Sequence, residues 1–309
     1  MNKHKHLRAL GTAAVLSLAL PLNGLAQTFV YTDFSGPELA AAPLQLNGNA
    51  AIVSNVLRLT PAAGGQAGSA FSLNTVQLGN NASFSTAFSF KLTEGGGISD
   101  GTANPRGADG IVFVLNTLSN SVGSSGQGVG YQGIGHSVGI KFDTWADSVA
   151  NGFPQDSDPN GNFVAIYNNG STQTAGLPYY TPAASMKNGN IWYAWIDYNG
   201  TSNQVDVRLS DGVDVRPASA QLSAIVNLGD SSILGSAPNV YAGFTSGTGG
   251  AYDNHDILTW EFRSSYQPIT TVGASVPDST STLGLLAVGV FAMAAIRRSR
   301  QIRRDVARD

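Results

Sequence analysis

Apolar residues recur along the chain in short runs, often at every second position, and clusters of Gly, Asn, Ser and Pro separate the runs. Phe84 to Leu92, F-S-T-A-F-S-F-K-L, alternates in this way. A period of two fits a strand with one buried face. Similar runs lie at Thr28 to Tyr31, Ala51 to Thr60, Ala70 to Leu78, Ile111 to Leu115, Ser137 to Trp145, Phe163 to Tyr167, Asn239 to Phe244 and Ile257 to Phe262. Leu46-Asn47-Gly48 reads as a turn joining two of them, and Asn199-Gly200 as the turn of a hairpin between Ile191 to Tyr198 and Gln204 to Ser210. Tyr179-Tyr180 reads as loop. Many short strands with no helical period between them predict an all-β sandwich or barrel.

The two ends do not belong to that pattern. Met1 to Ala26 carries Lys3, Lys5 and Arg8, an apolar run from Ala9 to Leu20, and small residues before Gln27. That order predicts a secretory signal peptide. Val276-Pro277-Asp278-Ser279 opens a polar stretch through Thr282, followed by an apolar segment from Leu283 to Ile296 and a tail rich in arginine. At about 1.5 Å per residue the apolar segment spans ~21 Å, short of the ~30 Å hydrocarbon layer. This ending resembles the PEP-CTERM sorting signals of Gram-negative bacteria, in the variant that begins Val-Pro-Asp-Ser, although Thr280 stands where glycine is commonest. The resemblance implies export, transient anchoring in the inner membrane, cleavage by an exosortase-type protease, and a destination at the cell surface or in the extracellular matrix. The expected division is 1–26 signal peptide, 27–265 β domain, 266–282 linker with the sorting motif, and 283–309 hydrophobic segment with basic tail.

Charge narrows the function of the domain. From Gln27 to Ser275 there are 8 Lys or Arg against 17 Asp or Glu, a balance of -9. An acidic body argues against nucleic acid as a partner, which wants a basic face. The chain has no cysteine, so neither a disulfide framework nor a cysteine zinc site is available. Asp143, Asp147, Asp156 and Asp158 crowd one polar stretch with Asn151, Asn160 and Asn162. Such a cluster predicts either a hard divalent cation with oxygen ligands, calcium before magnesium, or a solvated acidic loop rich in turn formers.

The stretch G-Y-Q-G-I-x-x-S-V-G-I-x-F-D-T-W at 130–145, with D-P-x-x-N-x-x-A-I after it, resembles the metal-binding core of the legume (L-type) lectin family. Gly107-Ala108-Asp109-Gly110 before an apolar strand, the V-x-A-G-F and T-G-G loop at 240–250, and H-x-I-L-x-W-x-F at 255–262 extend the resemblance over nearly all of 28–264. It implies a concanavalin-like jelly-roll β-sandwich of antiparallel sheets and calcium-dependent binding of saccharides. Asp143, Asp147 and Asp158 would hold calcium through side chains and Trp145 through its carbonyl. Asp109, preceded by a cis peptide bond, would take sugar hydroxyls together with Trp145, Asp147, Gly249, Gly250 and Ala251, the indole of Trp145 stacking on a ring. Asn151 is a rival for the role of Asp147, which stands where the family has asparagine. Lys141 and Asn162 stand where plant members have the glutamate and histidine that bind a transition metal, so no transition metal is expected. Lys141 is expected either to pair with an aspartate or to be an ordinary exposed strand residue. His255 is expected to make a structural hydrogen bond, and Trp192 and Trp195 to pack in the core.

An enzyme is not expected. Glucanases of similar architecture use E-x-D-x-x-E, and the body holds only Glu38, Glu94 and Glu261, scattered along it. A structural surface or biofilm-matrix protein with a degenerate lectin fold is the alternative to a saccharide-binding protein.

Overall fold

The computed structural model describes residues 27–147, 158–236 and 238–272. The expected signal peptide, Asn151, Asp156, the sorting motif and the C-terminal hydrophobic segment lie outside the described residues.

The strands are β1 (Thr28–Tyr31), β2 (Leu44–Gly48), β3 (Ala51–Val53), β4 (Val56–Thr60), β5 (Ala67–Ser72), β6 (Val76–Gln77), β7 (Phe84–Gly97) and β8 (Gly110–Asn116). They continue with β9 (Ser137–Asp143), β10 (Phe163–Asn168), β11 (Tyr179–Tyr180), β12 (Trp192–Asn199), β13 (Gln204–Asp211), β14 (Leu222–Ile225), β15 (Asn239–Gly247) and β16 (Ala251–Arg263). A short α-helix, α1 (Gly36–Ala41), begins with Pro37 in its first turn, where a missing N–H loses nothing.

Two antiparallel sheets form a jelly-roll sandwich. One runs β14-β13-β12-β7-β16-β4-β3, with β1 also on β16; the other runs β11-β10-β9-β8-β15-β5-β2, with β6 on β15. The alternation of Phe84 to Leu92 places Phe84, Phe88, Phe90 and Leu92 in the inter-sheet core, where Phe113, Phe142, Phe244, Trp260 and Phe262 meet them. Trp192 joins that core, and Trp195 is fully buried on the other side of its strand against Ala87, Ile269 and Val272. Neither tryptophan is a surface platform.

The second sheet is covered on both faces. Residues 110–116 are all buried: Ile111, Phe113 and Leu115 face the inter-sheet core, while Val112 and Val114 pack under Val129, Tyr131 and Ile134 of the loop that precedes β9. Alternation carries the same division into β9. Val138, Ile140 and Phe142 point into the core, which leaves Gly139, Lys141 and Asp143 on the other face. Lys141 is therefore 1 % exposed, not the ordinary surface residue that its type suggests.

Three sequence expectations change. Ala51 to Thr60 is two strands folded back at Ser54-Asn55, both in the left-handed region. Leu46-Asn47-Gly48 closes strand β2, and the turn follows it. Tyr179-Tyr180 is an edge strand on β10.

Candidate functional site

The loops at one end of β8, β9 and β16 converge on Asp109. The Ala108-Asp109 peptide is cis, as expected. The N–H of Asp109 donates to Gly247 O at 3.0 Å, and its carbonyl accepts from Thr144 N–H at 3.2 Å. The residue is thus fixed between the β15–β16 turn and the end of β9. The residue is 5 % exposed, and Oδ2 has no hydrogen-bond partner. A methyl group added at Gly249 would lie 3.6 Å from that oxygen. Burial, reinforced by the charge of Asp147, pushes the Asp109 carboxyl up to about 8.

Gly107 and Gly110 flank this residue for a steric reason. Both have positive φ, and a Cβ on Gly107 would lie 2.1 Å from Asp253 Oδ2, one on Gly110 2.1 Å from Phe142 O. Asp253, on β16, also accepts from the Ala108 N–H, and burial pushes it up to about 8.

Lys187 braces the same corner from below. Its ammonium is buried and donates to Gly107 O at 2.9 Å and to Thr144 O at 2.6 Å, joining the segment before Asp109 to the end of β9. Burial draws its pKa down, and Asp100, Asp253, Asp143 and Asp109 oppose that. Asn162 sets the loop that delivers Lys187. Its amide donates to Pro182 O and Ala184 O, and its Oδ1 accepts from Met186 N–H at 2.9 Å.

Beside Asp109 lie the carboxylates of β9 and the loop after it. Asp143 Oδ1 accepts from Trp145 N–H at 2.8 Å, turning the chain out of the strand, and Asp143 Oδ2 is in contact with the Lys141 ammonium. Asp158 Oδ2 accepts from Asp147 N–H at 3.0 Å while Asp158 N–H donates to Asp147 O at 3.2 Å, so residues 147 and 158 are clipped together. Asp158 Oδ1 accepts from the Thr174 hydroxyl at 2.6 Å. Burial alone would lower the Lys141 pKa, but Asp143, Tyr167, Asp158 and Asp147 together hold it well above its ordinary value.

His255 closes a ring of hydrogen bonds around the Gly110 peptide. Gly110 N–H donates to Nε2 at 3.2 Å, which leaves the proton on Nδ1, facing Thr60 Oγ1 at 2.7 Å. The Thr60 hydroxyl lies 3.1 Å from Ser246 Oγ, which donates to Gly110 O at 2.8 Å. This is the expected structural role, and burial pushes the imidazole down to about 3. Replacing His255 by phenylalanine fills the space but orphans a buried N–H, and is expected to destabilise the chain by about 1–3 kcal/mol in urea unfolding. A variant as stable as the parent refutes the ring.

The sandwich has counterparts among known proteins. The profile of the Legume lectin domain matches residues 26–276. The chain belongs to the legume lectin domain family. Among curated relatives, the L-type lectin-domain containing receptor kinase VIII.1 of Arabidopsis thaliana is 28 % identical over 267 residues, which are 82 % of this chain and 34 % of that protein. The L-type lectin-domain containing receptor kinase SIT2 of Oryza sativa subsp. japonica is 29 % identical over 260 residues, 77 % of this chain and 35 % of that protein. The chain spans about a third of the length of these relatives. Among solved structures, winged bean acidic lectin complexed with methyl-alpha-D-galactose is similar at a TM-score of 0.60 and 25 % identity, covering 79 % of this chain and all of that one (100 %). Basic winged bean lectin with Tn-antigen is similar at 0.58 and 25 %, covering 77 % and 98 %.

Against the legume lectin pattern, the expected residues are brought together but do not all face outward. Trp145 is 6 % exposed and packs with Ala108 and Ala251, so its indole is a wedge under the site and not an open stacking face. Ala251 and Asp147 are buried with it, at 1 % and 3 %. Gly249 and Gly250 form the accessible rim, and the Gly249 N–H is engaged within the turn by Ala251 O at 3.1 Å. Lys187, one basic residue in a turn-rich segment, gives no sequence signal.

The calcium implied by the legume lectin resemblance does not fit these residues. Calcium needs several oxygens converging at 2.3–2.6 Å or so with lone pairs turned inward. Here an ammonium is in contact with Asp143, and both oxygens of Asp158 accept internal hydrogen bonds. Among the described residues no three acidic or histidine side chains are grouped to hold a metal ion. A second cation about 4 Å from the ammonium would be repelled by roughly 4 kcal/mol per unit charge at an effective dielectric of 20.

The raised carboxyls give a pH signature. Asp109 and Asp253 titrate near 8 when folded and near 4 when unfolded, so between those values unfolding releases protons and stability falls as pH rises. His255 acts in the opposite sense, but only below about pH 6.5, where the unfolded ring takes a proton that the folded ring refuses. From about pH 6.5 to 8 the two aspartates dominate, at up to about 1.4 kcal/mol per pH unit each. Calorimetric melting temperature is expected to fall across that window and to fall less in Asp253→Asn; a flat profile in the parent chain contradicts the assignment.

Proposed function

We propose that the domain binds neutral saccharides in the cleft between Asp109 and the Gly249-Gly250 turn. Asp109 Oδ2 carries this reading: it is a deeply buried carboxyl oxygen without a hydrogen-bond partner, 3.6 Å from where a Cβ at Gly249 would lie, beneath the partly exposed Gly249-Gly250 turn. Vicinal sugar hydroxyls are the donors that such an acceptor lacks. Family membership and the saccharide named with the winged bean acidic lectin support the same class of ligand. Weak single-site affinity is expected, raised by clustering on a surface. Calcium dependence is the part of the sequence expectation that the geometry supports least. Export, inner-membrane anchoring and exosortase-type processing are proposed on the sequences of 1–26 and 276–309 alone, and the mass of the protein recovered outside cells tests them.

The test of binding is an array of neutral glycans and polysaccharides, probed at neutral and mildly alkaline pH and followed by calorimetric titration. Retention of a hexose-bearing ligand is expected. A matrix protein with a silent cleft is the second reading, favoured by the burial of Trp145 and Asp147; absence of retention at every pH selects it.

A further inference from the structure

We propose that the Lys141 ammonium takes the place of the divalent cation in this site, neutralising Asp143 next to the clipped pair of Asp147 and Asp158, so that the cleft assembles without metal. Residues 141 and 143 lie on the same face of β9, two positions apart, so the lysine stem runs along the strand and its head reaches the carboxylate at the strand end. The head is not at the surface. Lys141 and Asp143 are each 1 % exposed, and the Tyr167 ring lies 5.9 Å from Nζ. Tyr167 is itself fixed, its hydroxyl 2.6 Å from Thr174 Oγ1, which donates to Asp158. Lysine, aromatic ring, threonine and Asp158 thus form one connected unit around the end of β9.

A buried ammonium in contact with a carboxylate cannot leave without stranding a charge, whereas a bound ion exchanges with solvent. The ligand side of the cleft would then be insensitive to calcium concentration. Lys187, anchored to Gly107 O and Thr144 O, does for the Asp109 loop what Lys141 does for the aspartates: it supplies a fixed positive charge on a covalent stem.

The test uses the full chain in chelator and in millimolar calcium. The parent chain is expected to melt at the same temperature in both and to show no heat of calcium binding. Lys141→Glu removes the internal cation and adds an oxygen ligand, and is expected to gain about 5 °C or more from calcium. Lys141→Met is expected to melt well below the parent in either buffer, and adding Asp143→Asn to recover most of that loss, which an uncharged packing role for the lysine would not produce. A parent chain that binds calcium or loses stability in chelator overturns the proposal. So does a Lys141→Met chain as stable as the parent. These measurements need no sugar, although the proposal rests on the saccharide reading for its consequence. Glycan capture lost in chelator counts against the lysine and for the lectin; capture absent in all buffers counts against the lectin reading and leaves the melting result to decide the lysine.

Discussion

Asp109→Asn is expected to lower saccharide affinity by about a hundredfold or more while leaving the fold intact. The side chains are of equal size, and the cis peptide, the Gly247 contact and the Thr144 contact all belong to the main chain. What changes is the acceptor. Two hydroxyl hydrogens on a carboxylate contribute about 1.5–3 kcal/mol each, and an amide that must present one donor can match only part of that. Stability near pH 8 should rise, because an ionisable group with no partner on Oδ2 has been removed from the interior. Calorimetric titration and melting measured on the same sample separate the two effects. Binding by the parent should strengthen as pH rises toward 8, the direction in which stability falls, since the ionised form accepts both hydrogens. Undiminished binding by Asp109→Asn removes this residue from the site.

Lys187→Met should be the most damaging single change at the site, at about 3–5 kcal/mol. It leaves Gly107 O and Thr144 O without their donor and withdraws a positive charge from among Asp253, Asp109, Asp143 and Asp100. The stem volume is nearly preserved, so the loss reports the ammonium and not a cavity. Arginine should not rescue it, because a planar fork cannot fill a pocket made for a compact head. Chemical denaturation measures the cost; a change below about 1 kcal/mol would place Lys187 outside the architecture.

The framework was legible because alternation is a local property. Phe84 to Leu92 declares its buried face by itself, and the same rule divides β9 into core and site faces. Ser54-Asn55 escaped notice because neither glycine nor proline marks the reversal. Strands β11 and β14 are short edge strands with little pattern to show. At the site, Asp109 followed by glycine reads locally as a hairpin turn, and only the longer resemblance singles it out. Lys187 could not be found from spacing, since its partners are backbone carbonyls 43 and 80 positions away. Trp145 misled for a related reason: an aromatic after a strand can stack on a ligand or plug a gap, and its packing on Ala108 and Ala251 exists only in three dimensions.

Strand β16 has a consequence for how the molecule comes into being. It is the last strand among the described residues, yet it sits in the interior of its sheet, between β7 and β4, and it also carries β1. During synthesis the earlier strands therefore wait with bare edges facing one another, and the last dozen or so residues weld them shut. Such long-range closure is slow, on the order of milliseconds to seconds. A ribosome that stalls before Ala251 would release a product split down the middle of a sheet, sticky along two edges at once.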